Sequence, residues 1–316
     1  MKFKLIFFGT NHFSRLILEK LVNECSHEIT AIVTQPADEK ELKKNIYNHE
    51  VLSYSSTLGI STKILTPDKA SDHEFLEKIK ELEPDLIIVA SYGQILKPAL
   101  LDIPKYGCVN IHPSLLPHLR GASPVQSIIL NGETETGITF IKMTPGMDDG
   151  PVLFQKRYSI ESNWTSVEAL DYLGKASAQE LVSVLNRLNS TNDLQAWIAS
   201  GKEQDDAKAT FCPLIKKEMG EVKPEIMTIA MIINMYKAFQ PWPGIYVMFN
   251  NKRIKLVNIS IQSVSSVATG SHIFVNMPDN KTLLLKATYG FIEIKNIQTE
   301  GKNVITGEEF IRGYLK

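Results

Sequence analysis

The fold of this 316-residue chain is decided by residues 85–90, which read Asp-Leu-Ile-Ile-Val-Ala. A short apolar run without polar alternation is typical of a strand that is buried on both faces of a sheet. Comparable runs occur at residues 4–9, 29–34 and 107–111, and helical patterns lie between them at residues 13–23 and 72–82. Strands that alternate with helices predict an α/β domain with a mostly parallel, Rossmann-like sheet.

The second part of the chain has a different pattern. Short β-type runs separated by turn residues follow a helical segment at 225–239, and a final helix is predicted at 307–314. The runs are residues 245–249, 253–261, 272–276, 282–287 and 291–297. Their spacing predicts a small OB-like β-barrel. We therefore expect a first domain at 1–189, a polar linker at 190–207 and the barrel domain at 208–316.

Charge and composition limit the kind of protein. The net charge is −1, but residues 207–316 carry 14 Lys and Arg against 8 Asp and Glu, a balance of +6. A basic second part suggests a polyanionic partner, although a solvated surface would give the same count. No apolar run reaches the ~20 residues of a membrane span. The three cysteines form neither a disulfide framework nor a metal-ligand pattern, so we expect a cytoplasmic protein without a bound metal.

A polar pair occurs at the end of one predicted strand. Asn110 and His112 are two residues apart and therefore lie on the same side of the strand at 107–111 and its continuation. Pro113 and Pro117 stiffen the loop that follows. Ligands of parallel sheets bind beyond the carboxyl ends of the strands, which is where this loop lies. The pair is consistent either with a ligand site or with two polar residues that bond a nearby loop.

A second polar segment has the sequence Gly-Met-Asp-Asp-Gly-Pro at residues 146–151. Adjacent aspartates before Gly-Pro are typical of a turn. Paired carboxylates also bind metal ions, but the ligand spacing of a calcium loop is absent. A third interpretation is that Asp148 orients a histidine. The sequence pattern by itself leaves these three interpretations open.

The motifs taken together resemble a known family. They are Asn-x-His at 110–112, Ser-Leu-Leu-Pro at 114–117, Arg-Gly at 120–121, Glu-Thr-Gly-Ile-Thr at 135–139 and Asp-x-Gly at 148–150. This combination resembles the folate-dependent formyltransferases. Further matches at 8–10, 91–96, 239–244, 300–302 and 308–314 extend the resemblance over nearly the whole chain.

The resemblance implies both an activity and a set of site residues. It implies transfer of a formyl group from 10-formyltetrahydrofolate to the amino group of methionine on initiator tRNA, or alternatively to an amino sugar of a sugar nucleotide. Asn110, His112 and Asp148 would be catalytic, with Asn110 and a protonated His112 holding the oxyanion. The implied folate site consists of Ser114, Leu115, Leu116, Pro117, Ile88, Ala90, Tyr92 and Leu96. We also expect a monomer.

Some segments depart from the family pattern. A basic loop with Gly and Arg is usual after Gln-Pro, but residues 37–44 contain three lysines and three acidic residues. This neutral balance weakens the phosphate attraction expected for that loop. We expect residues 37–47 to form a loop or a loosely held helix. Trp242 lies between two prolines, and we interpret it as a packing residue.

Overall fold

The computed structural model describes residues 2–37, 49–58, 62–188, 190–264, 273–277 and 281–315. The chain divides into two compact units. The first comprises Met1–Val125, Glu135–Ile160 and Glu168–Pro213, and the second comprises Gln126–Thr134, Glu161–Val167 and Leu214–Lys316. The predicted loop at 37–47 lies, apart from Ala37, outside the described residues.

The first unit contains a seven-stranded sheet in the order β3-β2-β1-β4-β5-β7-β8. Seven of the unit's nine strands among the described residues form this sheet, and the other two, β6 and β9, pair with each other in parallel in a separate two-stranded sheet. The nine strands are β1 (Lys4–Gly9), β2 (Glu28–Val33), β3 (Lys63–Leu65), β4 (Leu86–Ala90), β5 (Cys108–His112), β6 (Arg120–Gly121), β7 (Glu135–Lys142), β8 (Val152–Ser159) and β9 (Phe211–Cys212). The first five strands of the sheet pair in parallel, whereas β7 and β8 are antiparallel additions. The predicted Rossmann-like, mostly parallel sheet is thereby confirmed.

Helices connect these strands along the chain. Those of the first unit are α1 (His12–Glu24), α2 (Glu50–Ser55), α3 (His73–Glu81), α4 (Pro98–Leu101), α6 (Ser166–Leu185) and α7 (Thr191–Ala199), whereas most of α5 (Pro124–Asn131) belongs to the second unit. Helix α1 begins where it does because the side chain of Asn11 accepts a hydrogen bond from the Ser14 amide. All five residues of β4 are buried, as expected for the central strand of a sheet that is covered on both faces.

The prediction of a polar linker at 190–207 is wrong in one respect, because helix α7 lies within this segment. Ser190 and Asp193 form a capping box, in which each side chain accepts a hydrogen bond from the backbone amide of the other. Leu194 is fully buried. Polar composition indicated a linker, but the same Ser and Asp residues begin a helix. The first unit continues to Pro213.

The second unit is built on a six-stranded antiparallel sheet. Its strands are β10 (Ile245–Phe249), β11 (Lys252–Val264), β12 (Phe274–Asn276), β13 (Leu283–Ala287), β14 (Gly290–Thr299) and β15 (Val304–Thr306), and α8 (Ile229–Ala238) and α9 (Gly307–Tyr314) are its helices after residue 214. The order is β10-β11-β14-β13-β12, with β15 paired to β14. Phe310 of α9 lies against Phe249 and Phe274, so this helix covers the apolar face. Five of these strands match the short β-type runs of the sequence, whereas β15 was not predicted.

Trp242 is 56% exposed, so its interpretation as a packing residue is wrong. None of the helices in the described part of the chain combines the length and the apolar character that crossing a membrane requires.

Candidate active site

Strand β5 places Asn110 and His112 on the same side of the sheet. Asn110 lies opposite Val89 of β4 and Ile141 of β7, while His112 lies opposite Thr139 of β7. His112 is 4% exposed, whereas Asn110 is half-buried. Both side chains are thus fixed by the ladder at the carboxyl end of β5, where a ligand of a parallel sheet is expected.

Asp148 joins this pair from the loop between β7 and β8. Its Oδ1 accepts a hydrogen bond from Asn110 Nδ2 at 3.0 Å, and its Oδ2 accepts one from the Gly121 amide at 2.9 Å. The backbone of Asp148 has a φ of 51°, in the left-handed region. Asp148 is therefore more than a turn residue, because its carboxylate is held in one orientation beside Asn110.

The hydrogen bonds of His112 define which ring nitrogen faces Asp148. Nε2 lies 2.9 Å from the Leu119 carbonyl oxygen, which can only accept, so Nε2 carries a proton and donates it. Nδ1 lies 3.7 Å from Asp148 Oδ2. Nδ1 is consequently the ring nitrogen that is available for chemistry, in either the neutral or the cationic form of the ring.

The Ser-Leu-Leu-Pro loop is fastened to the sheet by Thr139. The Thr139 hydroxyl donates to the Ser114 carbonyl at 2.6 Å and accepts from the Leu116 amide at 3.2 Å. Gln155 of β8 donates to the Leu116 carbonyl at 2.8 Å. Ser114 and Leu116 are buried, while Leu115 and Pro117 are half-buried. The loop is therefore held rigidly beside His112.

The other residues of the predicted folate site lie on and after β4. The side chains of Ile88, Ala90, Tyr92 and Leu96 are all at least 95% buried, so little of them faces solvent. The Tyr92 carbonyl already accepts hydrogen bonds from Thr10 and Gln35. The Tyr92 hydroxyl has no hydrogen-bond partner within the described ranges, and burial raises its pKa to about 12.

Sequence reasoning missed one group that contacts this site. Gln204 Nε2 donates to the carbonyl oxygens of Asp148 and Gly150 at 2.7 and 2.8 Å, and Gln204 Oε1 accepts from Arg120. Gln204 lies in the segment that was predicted to be a linker, and its spacing from Asp148 carries no motif. Among the described residues, no group of three or more His, Cys, Asp or Glu side chains is arranged to hold a metal ion.

Comparison with known proteins gives the class. Residues 1–185 match the family described as formyl transferase, and residues 214–315 match its C-terminal domain. The chain belongs to the formyl transferase family. It is 32% identical to the methionyl-tRNA formyltransferase of Caldicellulosiruptor saccharolyticus, over 98% of this chain and 96% of that protein. It is 34% identical to the methionyl-tRNA formyltransferase of Ruminiclostridium cellulolyticum, with the same coverage.

Solved structures have the same fold. HypX from Aquifex aeolicus in complex with tetrahydrofolic acid superposes with a TM-score of 0.63 at 14% identity over 99% of this chain, which spans about half of HypX (47%). Methionyl-tRNA formyltransferase from Clostridium thermocellum gives 0.56 at 19% identity, covering 82% of this chain and 94% of that one. An N-formyltransferase from Helicobacter canadensis, solved in complex with folinic acid and dTDP-3-aminofucose, gives a TM-score of 0.62 at 18% identity, covering 95% of this chain and 100% of that one.

Proposed function

We propose that the protein transfers the formyl group of 10-formyltetrahydrofolate to the amino group of methionine on initiator tRNA. The observation that carries this proposal is the arrangement of Asp148, whose carboxylate is held by Asn110 and Gly121 while it faces His112 Nδ1. Full-length identity to methionyl-tRNA formyltransferases supports the acceptor.

The reaction needs a place for negative charge. The lone pair of the methionyl amine attacks the formyl carbon, and the carbonyl oxygen becomes an oxyanion. Asn110 Nδ2 carries two N–H groups, one of which is used by Asp148, and the other would donate to the oxyanion. An oxyanion donor of this kind contributes roughly 10²–10³ in rate.

The reaction also needs movement of one proton. In the tetrahedral intermediate the attacking nitrogen is cationic, and its proton must reach N10 of the folate before the C–N10 bond breaks. Cationic His112 would donate its Nδ1–H to the oxyanion, and the Asp148 carboxylate would stabilise that cation and pass the amine proton through water. Proton transfer of this type contributes on the order of 10²–10⁴. The products are the formamide and tetrahydrofolate.

The folate would lie along the loop at residues 114–117. The loop is attached rigidly to Thr139, so it can form one wall of the folate site without rearranging. The Tyr92 hydroxyl, which is buried in the same core cluster as Leu96, is a polar group that a ligand or a water could satisfy. The carbonyls of Ala90 and Tyr92 already accept from protein donors, so we expect the pterin to rely more on the loop than on these two groups.

One assay tests the proposal. Purified protein is supplied with 10-formyltetrahydrofolate and either methionyl initiator tRNA or a dTDP-linked amino sugar, and tetrahydrofolate release and the formylated product are both measured. We expect release and product with the aminoacyl-tRNA. Turnover with the amino sugar alone would assign the protein to the sugar-modifying enzymes instead. Release without either product would contradict the transfer itself.

A further inference from the structure

A hydrogen-bonded network centred on a buried arginine contacts the loop that carries Asp148. Arg120 is 5% exposed, and its Nε and Nη2 donate to Gln204 Oε1 at 3.1 and 3.0 Å. Nη2 also donates to Asp206 Oδ1 at 2.7 Å. Gln204 Nε2, the nitrogen of the same amide, donates to the carbonyl oxygens of Asp148 and Gly150. All of these residues belong to the first unit.

The hydrogen bonds of this network require a glutamine at position 204. A guanidinium has only donors and a backbone carbonyl has only acceptors, so the residue between them must present an acceptor to one side and two N–H donors to the other. Glutamate would keep the bond to Arg120 but would turn a carboxylate oxygen toward two carbonyl oxygens. The orientation of the Gln204 amide is thus fixed by its partners.

The loop at residues 142–151 depends on such support. Its base is closed by the bond from the Lys142 amide to the Pro151 carbonyl, and Thr144 bonds Asp149 inside it. Near the middle of the loop, Asp148 has a positive φ, which costs free energy in a residue other than glycine. The two hydrogen bonds from Gln204 hold the backbone carbonyls on both sides of Asp149 in place. They therefore set the direction in which the Asp148 carboxylate leaves the backbone.

We propose that Gln204, anchored by Arg120, is a positioning residue that holds the Asp148 carboxylate against His112 and Asn110. This inference rests on the proposed function, since its readout is formyl transfer. Gln204 does not reach the reacting atoms and acts through the backbone of Asp148. Its effect should therefore be seen in turnover and in the mobility of the loop rather than in substrate binding.

The test compares two isolated substitutions with a matched charge control. In Gln204→Glu the shape is kept and the two donors are lost, while Gln204→Met removes both the donors and the acceptor. Gln179→Glu makes the same charge change at an exposed position of α6. For each folded protein, kcat and KM for folate and for methionyl-tRNA are measured, and hydrogen exchange of the peptide containing residues 143–151 is followed by mass spectrometry.

We expect kcat to fall about tenfold or more in both Gln204 variants, with either KM changing by less than about threefold and faster exchange confined to residues 143–151. Gln179→Glu should match the wild type. If Gln204→Glu does not fold, Gln204→Met decides. An unchanged kcat in a folded variant, or a loss that appears mainly in KM, would overturn the positioning role. A wild-type protein that does not formylate methionyl-tRNA would instead refute the proposed function.

Discussion

His112 Nδ1 lies 3.7 Å from Asp148 Oδ2, while the opposite nitrogen of the same ring donates to the Leu119 carbonyl. The carbonyl fixes the ring so that one defined nitrogen points at the carboxylate. Because Asp148 is itself held by Asn110 and Gly121, the three polar side chains behave as one preorganised group. Preorganised groups stabilise charge that develops in a transition state without further rearrangement.

Replacement of His112 is expected to affect turnover. In His112→Ala, kcat should fall by roughly 10²–10⁴, because the oxyanion loses one donor and Asp148, which passes the amine proton, loses its partner. Folate affinity should be largely retained, since the loop at 114–117 is held by Thr139 and not by His112. Single-turnover rates and a folate-binding isotherm measure the two quantities. His73→Ala, at an exposed ring, is the control. Unchanged turnover in His112→Ala would remove this residue from the mechanism.

Asn110 offers a sharper comparison between two substitutions. Asn110→Ala should lower kcat by about 10²–10³, as expected for a lost oxyanion donor. Asn110→Asp should be worse at neutral pH, because a second carboxylate would lie next to Asp148 Oδ1, 3.0 Å from the present amide nitrogen. Two adjacent carboxylates share a proton on acidification, so activity of the Asp variant should rise relative to the Ala variant as pH falls. Parallel pH profiles for both variants would contradict the proposed contact.

The sequence predicted four of the nine strands of the first unit, β1, β2, β4 and β5, because each is a short apolar run of a kind that is buried. Strands such as β3 and β8 were not predicted, because they are not buried along their length. The run at residues 85–90 forms β4 from Leu86 to Ala90, and all five residues of this strand are buried. The helix α7 was missed because polar residues that cap a helix also occur in linkers, and only tertiary contact of Leu194 distinguishes the two cases. Strand bounds in the second unit were predicted to within a few residues, since turn residues separate the runs.

The site was predictable in part. Periodicity of two placed Asn110 and His112 together, and the family motifs added Asp148. The contribution of Gln204 was not predictable, because 56 residues separate it from Asp148 and the contact is made to backbone carbonyls. Backbone acceptors impose no residue type on the partner segment. A hydrogen bond of this kind leaves no signal in a single sequence.

Gly137 of β7 should be intolerant of a side chain. A Cβ at this position would lie 2.6 Å from the Lys156 carbonyl oxygen of the neighbouring strand and would also collide with the Leu115 side chain. Because a ladder carbonyl cannot move aside, Gly137→Ala should cost about 1–3 kcal/mol. The midpoint of thermal unfolding measures this change.

Gly313 provides the matched control for that substitution. It lies in α9, is exposed, and a Cβ there would meet nothing within 4 Å. Gly313→Ala should raise stability by roughly 0.5 kcal/mol, because alanine loses less backbone entropy in a helix. The same chemical change is thus expected to have opposite signs at the two positions. A similar loss in both variants would contradict the steric explanation.

The Cys108 thiol is expected to be unreactive in the folded protein. It is 1% exposed, and burial, followed by the charge of Asp102, raises its pKa to about 12. A folded pKa above the ordinary value of 9.0 stabilises the fold below pH 9, and this contribution is lost as pH rises from 9 toward 12. Labelling with a disulfide reagent at pH 8 should therefore modify half-buried Cys25 first. Comparison with Cys108→Ser identifies which labelling step belongs to Cys108. Rapid labelling of Cys108 would contradict its burial.

Binding of the acceptor should depend on salt if the basic second part of the chain contacts tRNA phosphates. Each phosphate contact adds about 0.9 to the slope of log affinity against log salt, because a condensed counterion is released. The KM for methionyl-tRNA should therefore rise steeply with salt, while the KM for folate changes less.

Replacing exposed Lys217, Lys252 and Lys295 by Gln should lower the slope of this salt dependence by about 1 for each contact removed. The same change at exposed Lys63, Lys69 and Lys97 of the first unit should leave it unaltered. A flat salt response in the wild type would show that the positive balance of residues 207–316 is only a solvated surface.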